Sequence, residues 1–299
     1  MDNTVVGFLA VLFLIVLILV VKGIASSVKS EKERKARLAR EEKERQEQEE
    51  EQRKREEYQR YLESDEYRQK QEKKRRAAER AQQREEEKTR QRMERLAHAL
   101  EECPEARKYV LAEGADRVWA ESELTLSQFD RMAKKCFVAV DTETTGLWSH
   151  DEIIEIAAVR VENGVITDEF HTMVNPLRSI SAKATAVNGI TKDMVANAPT
   201  IEEVLPRFLL FVGDAPIAAH NAQFDRGFID SACSRVRLQP PIKYFDTMKL
   251  AKFWPDAENR KLGTLLCEAG IENEDAHRAL GDARALVQLI LKTNEVRGK

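Results

Sequence analysis

Apolar positions along the chain fall into three regimes. From Thr4 to Val21 the stretch TVVGFLAVLFLIVLILVV carries no charge. As a helix rising about 1.5 Å per residue it would span about 27 Å, the thickness of a bilayer's hydrocarbon core. From about residue 30 to 100 the pattern inverts, with Glu, Lys, Arg and Gln dominating and no proline or glycine. That composition predicts a long solvated helix with many i,i+4 opposite-charge pairs. From Cys136 onward, short apolar runs alternate with turn signals and helical spacings, the pattern of a compact domain of about 160 residues.

Within that last region CFVAV predicts a buried strand ending at Asp141, followed by strands over 153–161 and 165–174 joined by the hairpin signal Asn163-Gly164. Thr200 and Glu203 form a capping box before the helix VLPRFLLFV, and PIAAH (216–220) is a short strand running into the helix NAQFDRGFIDSACSRV. KLGTLLCEAG and AHRALGDARALVQLILK have helical spacing. The order β-β-β-α-β-α-α predicts an α/β domain with a mixed sheet flanked by helices. Between stalk and domain, Pro104 ends the long helix, ARKYVLAEGADRVWAE is helical by spacing up to Gly114, and Ser127 is placed to cap QFDRMAKK. The expected segments are 1–22, an N-terminal transmembrane anchor; 23–100, a charged helical stalk; 101–134, a small helical transition; and 135–299, the α/β domain.

Composition sharpens this division. Charged residues make up 34% of the chain and concentrate between Lys29 and Arg95, while the net charge is −3. The C-terminal region counts out mildly acidic, which excludes a broad basic face of the kind that gives tight sequence-independent duplex binding. The four cysteines include no C-x-x-C pair, which fits free thiols in a reducing compartment rather than zinc or a disulfide framework. A cleaved signal peptide competes with the anchor reading, but MDN lacks Lys and Arg and no A-x-A site follows. Lys22, Lys29, Lys32, Arg34 and Lys35 follow the run, so a single-pass anchor would leave the C-terminal side cytoplasmic. The stalk offers no a/d seam over 40–57, so clusters at Tyr58, Tyr61 and Leu62 and at Met93, Leu96 and Leu100 support self-association or partner contact only locally. A disordered charged tether is the alternative for this segment.

The candidate chemistry lies in three short stretches. In DTETTG, Asp141 and Glu143 leave an extended backbone on the same face, and two like charges beside an apolar strand call for a neutraliser. Mg²⁺ or Mn²⁺ fits carboxylate oxygen, although an ordinary loop acid pair reads the same way. In HNAQFD, Asp225 falls one turn into a helix among core aromatics, where a dipole-complementing acid is the alternative. In HRALGDA, His277 and Asp282 stand five apart at the start of the last helix, and a histidine can take a proton near neutral pH.

Together these three ordered stretches, with VNGIT and APTIEEVLPRFLLFV between them, resemble the DEDDh, or DnaQ-like, family of 3′ to 5′ exonucleases, which includes the proofreading epsilon subunits of bacterial replicases. The resemblance covers about residues 136–292. It implies a ribonuclease H-like fold, two Mg²⁺ (or Mn²⁺) ions, Asp141, Glu143, Asp225 and Asp282 as metal ligands, and His277 as general base, with Glu143 also counted as catalytic. The sister group carries tyrosine four residues before the last aspartate, where this chain has Arg278. By the same resemblance, Thr144 and Thr145 main-chain N–H groups, Gly146 and Leu147 are expected to meet the 3′-terminal nucleotide, with His220, Asn221 and Phe224 as further candidates for that pocket. The implied reaction is two-metal hydrolysis at a free 3′ end, on single-stranded or frayed DNA, releasing nucleoside 5′-monophosphates. An exoribonuclease and a membrane-anchored scaffold with a nuclease-like domain are the alternatives, which mononucleotide release by residues 136–299 would separate.

Overall fold

The computed structural model describes residues 3–116 and 123–298, with first-helix side chains described at 17, 20–23, 26, 27 and from 29 onward. The chain divides into two compact units, Met1–Gln83 and Arg84–Lys299. The first is helical: α1 spans Asn3–Glu63 and α2 begins at Asp65, running on to Glu102 in the second unit. The break falls at Ser64, whose hydroxyl accepts the Tyr67 N–H at 3.1 Å and so caps the new helix, with the Tyr61 and Tyr67 rings edge to face beside it. Charge pairs such as Glu31–Lys35, Arg37–Glu41 and Glu51–Arg55 run along the solvated faces, as the sequence pattern predicts. Most side chains of the expected anchor, 4–21, lie outside the described residues. Among the described residues no helix is long and apolar enough to cross a membrane.

The second unit begins inside α2, well before the boundary expected at 135. Leu96 and Ala99 are buried, and Arg92 and Arg95 approach the buried Glu202 carboxylate at 3.5 and 3.4 Å. After Glu102 a 3₁₀ turn covers Pro104–Tyr109, where the spacing had predicted a helix to Gly114. The chain there pairs with a distant segment instead: the Leu111 N–H donates to Arg237 O and the Gln239 N–H to Tyr109 O. The expected extent beyond 116 reaches residues outside those described. Helix α3, Leu126–Ala133, is capped by Thr125 in a capping box with Gln128, two residues ahead of the expected Ser127.

The sheet comprises β1 (Cys136–Thr144), β2 (Ile153–Glu162), β3 (Val165–Met173), β4 (Ile217–Ala219) and β5 (Tyr244–Asp246), in the order β3-β2-β1-β4-β5. The first three are antiparallel, with Asn163 and Gly164 both at positive φ in the hairpin, while β4 and β5 run parallel to β1 and to one another. β5 was not anticipated, because YFD is too short to show a period. Helices α4 (Ala182–Asn188), α5 (Lys192–Val195) and α6 (Ile201–Val212) lie between β3 and β4; α7 (Ala222–Arg235), α8 (Leu262–Glu268) and α9 (Ala279–Arg297) complete the unit. Alternation along β1 sets two layers: Val138 and Val140 pack with α6 and α7, whereas Phe137 and Ala139 pack with α3, α8 and α9. The mixed α/β sheet flanked by helices therefore stands as expected.

Candidate active site

β1 does not stop before its acids. It continues through Asp141, Thr142, Glu143 and Thr144, so the two carboxylates leave the α9 face of a strand still paired to β2. On that face the α9 residues Ala279, Ala283, Leu286, Val287 and Ile290 are buried, and this seating brings Asp282, in the first turn, to the end of β1. Carboxylate oxygens of Asp141, Glu143 and Asp282 lie within 4.8 Å of one another. Asp225 stands outside this trio because it approaches from the other layer. Thr142, alternating to the α7 face, donates its hydroxyl to Asp225 Oδ1 at 2.7 Å, and Asp225 is buried. Three of the four expected ligands thus converge directly, and the fourth is held beside them through Thr142.

The cluster is electrostatically loaded. Burial pushes the Asp141 carboxyl well above its ordinary range, with the charges of Asp225, Asp282 and Glu143 adding to it. Burial raises Glu143 to about 7 against the hydrogen bond from Asn188 Nδ2, 3.1 Å away, which lowers it. Asp225 is likewise raised to about 7 by burial, against its bond from Thr142. Asp282 is raised by burial although Asn273 Nδ2 donates to Oδ1 at 2.6 Å and the His277 N–H to Oδ2 at 3.1 Å. Carboxylates held this close resist ionising together, and an all-oxygen donor set of this kind fits Mg²⁺ or Mn²⁺.

His277 precedes α9 rather than starting it. Its φ of +63° is left-handed, an uncommon conformation for histidine, and it is fixed between the bond to Asp282 and the anchored Arg278. That anchor is Glu155, fully buried on β2 directly opposite Glu143. Glu155 accepts from Arg278 Nε (3.1 Å) and Nη2 (2.8 Å), from the Ala279 N–H (3.1 Å), and bonds His171 Nε2 at 2.7 Å. Sequence reasoning missed Glu155 and Asn188. The available signal for the first was a lone acid inside the apolar run IIEIAAV; Asn188 offered none.

The remaining candidates divide. Thr145's main-chain N–H is already donated to Glu152 O at 2.8 Å, so its expected contact with a nucleotide is closed. The Thr145 hydroxyl and the Trp148 N–H both bond the Asp151 carboxylate, while Thr144 Oγ1 donates to Gly146 O. Gly146 is required by this packing, since a Cβ there would meet Asp151 Oδ2 at 2.4 Å. Leu147 and Trp148 project from the turn, 79% and 72% exposed. His220 bonds Thr247 Oγ1 through Nδ1 and Arg260 O through Nε2, Asn221 begins α7 at positive φ with its N–H on Asp246 Oδ1, and Phe224 packs on Phe228. Both ring nitrogens of His220 are therefore committed within the protein.

Residues 138–290 match the RNase T exonuclease family. This chain belongs to that family. It is 42% identical over 176 residues to the DNA polymerase III PolC-type of Thermotoga maritima and 41% identical over 189 residues to that of Caldanaerobacter subterraneus subsp. tengcongensis. These alignments cover 58% and 62% of this chain but 13% of each relative. The fold is shared with the zinc-bound E. coli ExoI–ssDNA complex at a TM-score of 0.50, with 18% identity over 56% of this chain and 42% of that one. The exonuclease family match begins within β1 and ends within α9, so it contains Asp141, Glu143, Asp225, His277 and Asp282.

Proposed function

We propose that the chain is a divalent-metal-dependent 3′ to 5′ exonuclease acting on single-stranded or frayed DNA and releasing nucleoside 5′-monophosphates. The observation that carries this reading is the convergence of Asp141, Glu143 and Asp282 at the end of β1, with Asp225 tethered beside them and His277 on the same cavity. Asp141, Glu143, Asp225 and Asp282 would hold two Mg²⁺ or Mn²⁺ ions. When bound, the ions supply the positive charge that polarises the scissile phosphate and stabilises the leaving 3′ oxygen. His277 takes the proton of the attacking water, and its backbone bond to Asp282 fixes the imidazole's place relative to the carboxylates. Leu147 and Trp148 offer apolar surface to the terminal base, which a paired end reaches only after unstacking. DNA is preferred as substrate because the relatives covering this domain are named as DNA polymerases.

The uncharged run 4–21 supports an N-terminal membrane anchor, and the cations after it support a cytoplasmic catalytic domain. Local apolar clusters at Tyr58–Leu62 support self-association or partner contact through the stalk. A time course on 5′-labelled DNA and RNA oligonucleotides, single-stranded and duplex, with Mg²⁺ or Mn²⁺ tests the activity. Stepwise shortening of single-stranded DNA is expected; equal turnover of RNA would broaden the substrate, and no metal-dependent shortening of any arm would overturn the reading.

A further inference from the structure

The cavity beside the catalytic carboxylates is larger than they require. It has a volume of about 910 Å³ and runs from Asp141, His277 and Asp282 across Gly263, Thr264 and Cys267 of α8 to the Gly270–Asn273 loop. That is near the upper end of the range for small-ligand pockets, about 300–1,000 Å³. Lys261 stands at its rim. Among the described residues its ammonium has no carboxylate partner, although acids line the same cavity. Its backbone, by contrast, is pinned from two sides. Asn259 Oδ1 accepts both the Lys261 N–H and the Thr264 hydroxyl at 2.9 Å, and His220 Nε2 donates to Arg260 O at 2.7 Å. His220 in turn follows β4, the strand parallel to β1. A cation held by a fixed backbone, free of a protein partner and facing the cavity that contains the reacting centre, is suited to a phosphate.

Leu147 and Trp148, on the Thr144–Asp151 turn, do not line the Lys261 cavity, which is walled by His277 and α8. We propose that this cavity holds the substrate strand on the 5′ side of the scissile bond, with Lys261 ion-paired to an upstream phosphodiester. His220 is then a positioning residue for Arg260 and Lys261. The subsite rests on the exonuclease reading and adds to it the path by which the strand leaves the centre. Its single cation also fits a mildly acidic domain that binds by a few local contacts.

Cys267 provides a probe within the same cavity, being the exposed cysteine of the four. The experiment uses the full chain with Ca²⁺ in place of Mg²⁺ to slow turnover, and a single-stranded decanucleotide. In the wild type, the oligonucleotide is expected to protect Cys267 from maleimide alkylation. Lys261→Gln is expected to weaken binding and to reduce the slope of log K against log salt by about 0.7, the release expected for one single-strand phosphate contact. Lys261→Arg should restore the slope, and Lys134→Gln, on the surface after α3, should leave it unchanged. With Mg²⁺, Lys261→Gln should raise KM for the decanucleotide with little change in kcat, and the loss should be smaller on a dinucleotide, which has no upstream phosphate. An unchanged salt slope, or alkylation of Cys267 at the same rate with and without oligonucleotide, would overturn the subsite while leaving the exonuclease reading intact. A wild-type protein that shortens no nucleic acid would instead overturn the reading on which the subsite rests.

Discussion

Glu155→Ala is the substitution whose cost can be worked most fully from the geometry. The buried carboxylate accepts from the Ala279 N–H, from the Arg278 fork and from His171. Alanine leaves the Ala279 N–H, which is buried at the start of α9, without an acceptor, a cost of about 1–3 kcal/mol. Arg278 and His171 are partly exposed and turn to water, so their loss adds less. A total of about 3 kcal/mol lowers the melting temperature by about 6–12 °C in a unit of this size. Tryptophan fluorescence is the suitable assay, because Trp148 and Trp254 lie in the Arg84–Lys299 unit and the sequence of the long helix has none. The pH dependence has a defined sign. Burial pushes the Glu155 carboxyl up, but the bonds from Arg278, His171 and the Ala279 N–H together outweigh it and hold it below its ordinary value. A depressed carboxylate stabilises fully above its unfolded pKa of about 4.3 and loses that contribution as pH falls through the lower folded value. The Glu155 contribution to the gap between wild type and Glu155→Ala should therefore narrow only as pH falls below about 4. A variant melting within about 2 °C of wild type, the shift of a change below about 1 kcal/mol, would refute the anchoring role of Glu155.

Other outcomes follow from the same geometry. In metal-free protein Glu143 and Asp225, raised to about 7, stabilise the fold while protonated and lose that contribution as pH rises through 7. Mn²⁺ should accordingly raise the melting temperature more at pH 8 than at pH 6, and calorimetry in buffers of different ionisation enthalpy should detect proton release at pH 6 that declines as pH rises above about 7. A pH-independent stabilisation by Mn²⁺ would contradict the raised carboxylates. Gly146→Ala drives a methyl group against Asp151 and should disrupt the turn that carries Leu147 and Trp148, measurable as lost activity with a melting temperature close to wild type. Replacing Leu147 and Trp148 together by alanine should raise KM for single-stranded DNA about tenfold or more, given stacking worth about 1–3 kcal/mol per base, while thermal stability stays near that of wild type because both side chains are exposed.

The layered α/β architecture was legible because its signals are local: the apolar run CFVAV, the Asn163-Gly164 hairpin and the Thr200–Glu203 capping box each appear in the structure where the sequence places them. The site was legible for a different reason. Asp141, Glu143, Asp225, His277 and Asp282 are acids and a base in settings where solvation alone does not account for them, and their order matched a known family. What escaped was long-range. Val110 pairs with Leu238 and leaves the helix its spacing suggests, α2 reaches the domain through Leu96 and Ala99, and Glu155 finds Arg278 across more than a hundred residues. None of these partners is marked by local composition. Thr145 illustrates the same limit, since its N–H is claimed by Glu152 O just beyond the paired strands, a bond that no motif records.

A metal-dependent nuclease centre formed by the carboxylates at the end of β1 is tested by the release of mononucleotides from 3′-labelled single-stranded DNA by the purified full chain, measured with Mn²⁺ and with EDTA, for wild type, Asp141→Ala and Asp225→Ala. Labelled nucleoside 5′-monophosphate is expected as the first product of the wild type with Mn²⁺, with none in EDTA and none from either folded variant. Equal release by Asp141→Ala or by the EDTA-treated protein would rule such a centre out.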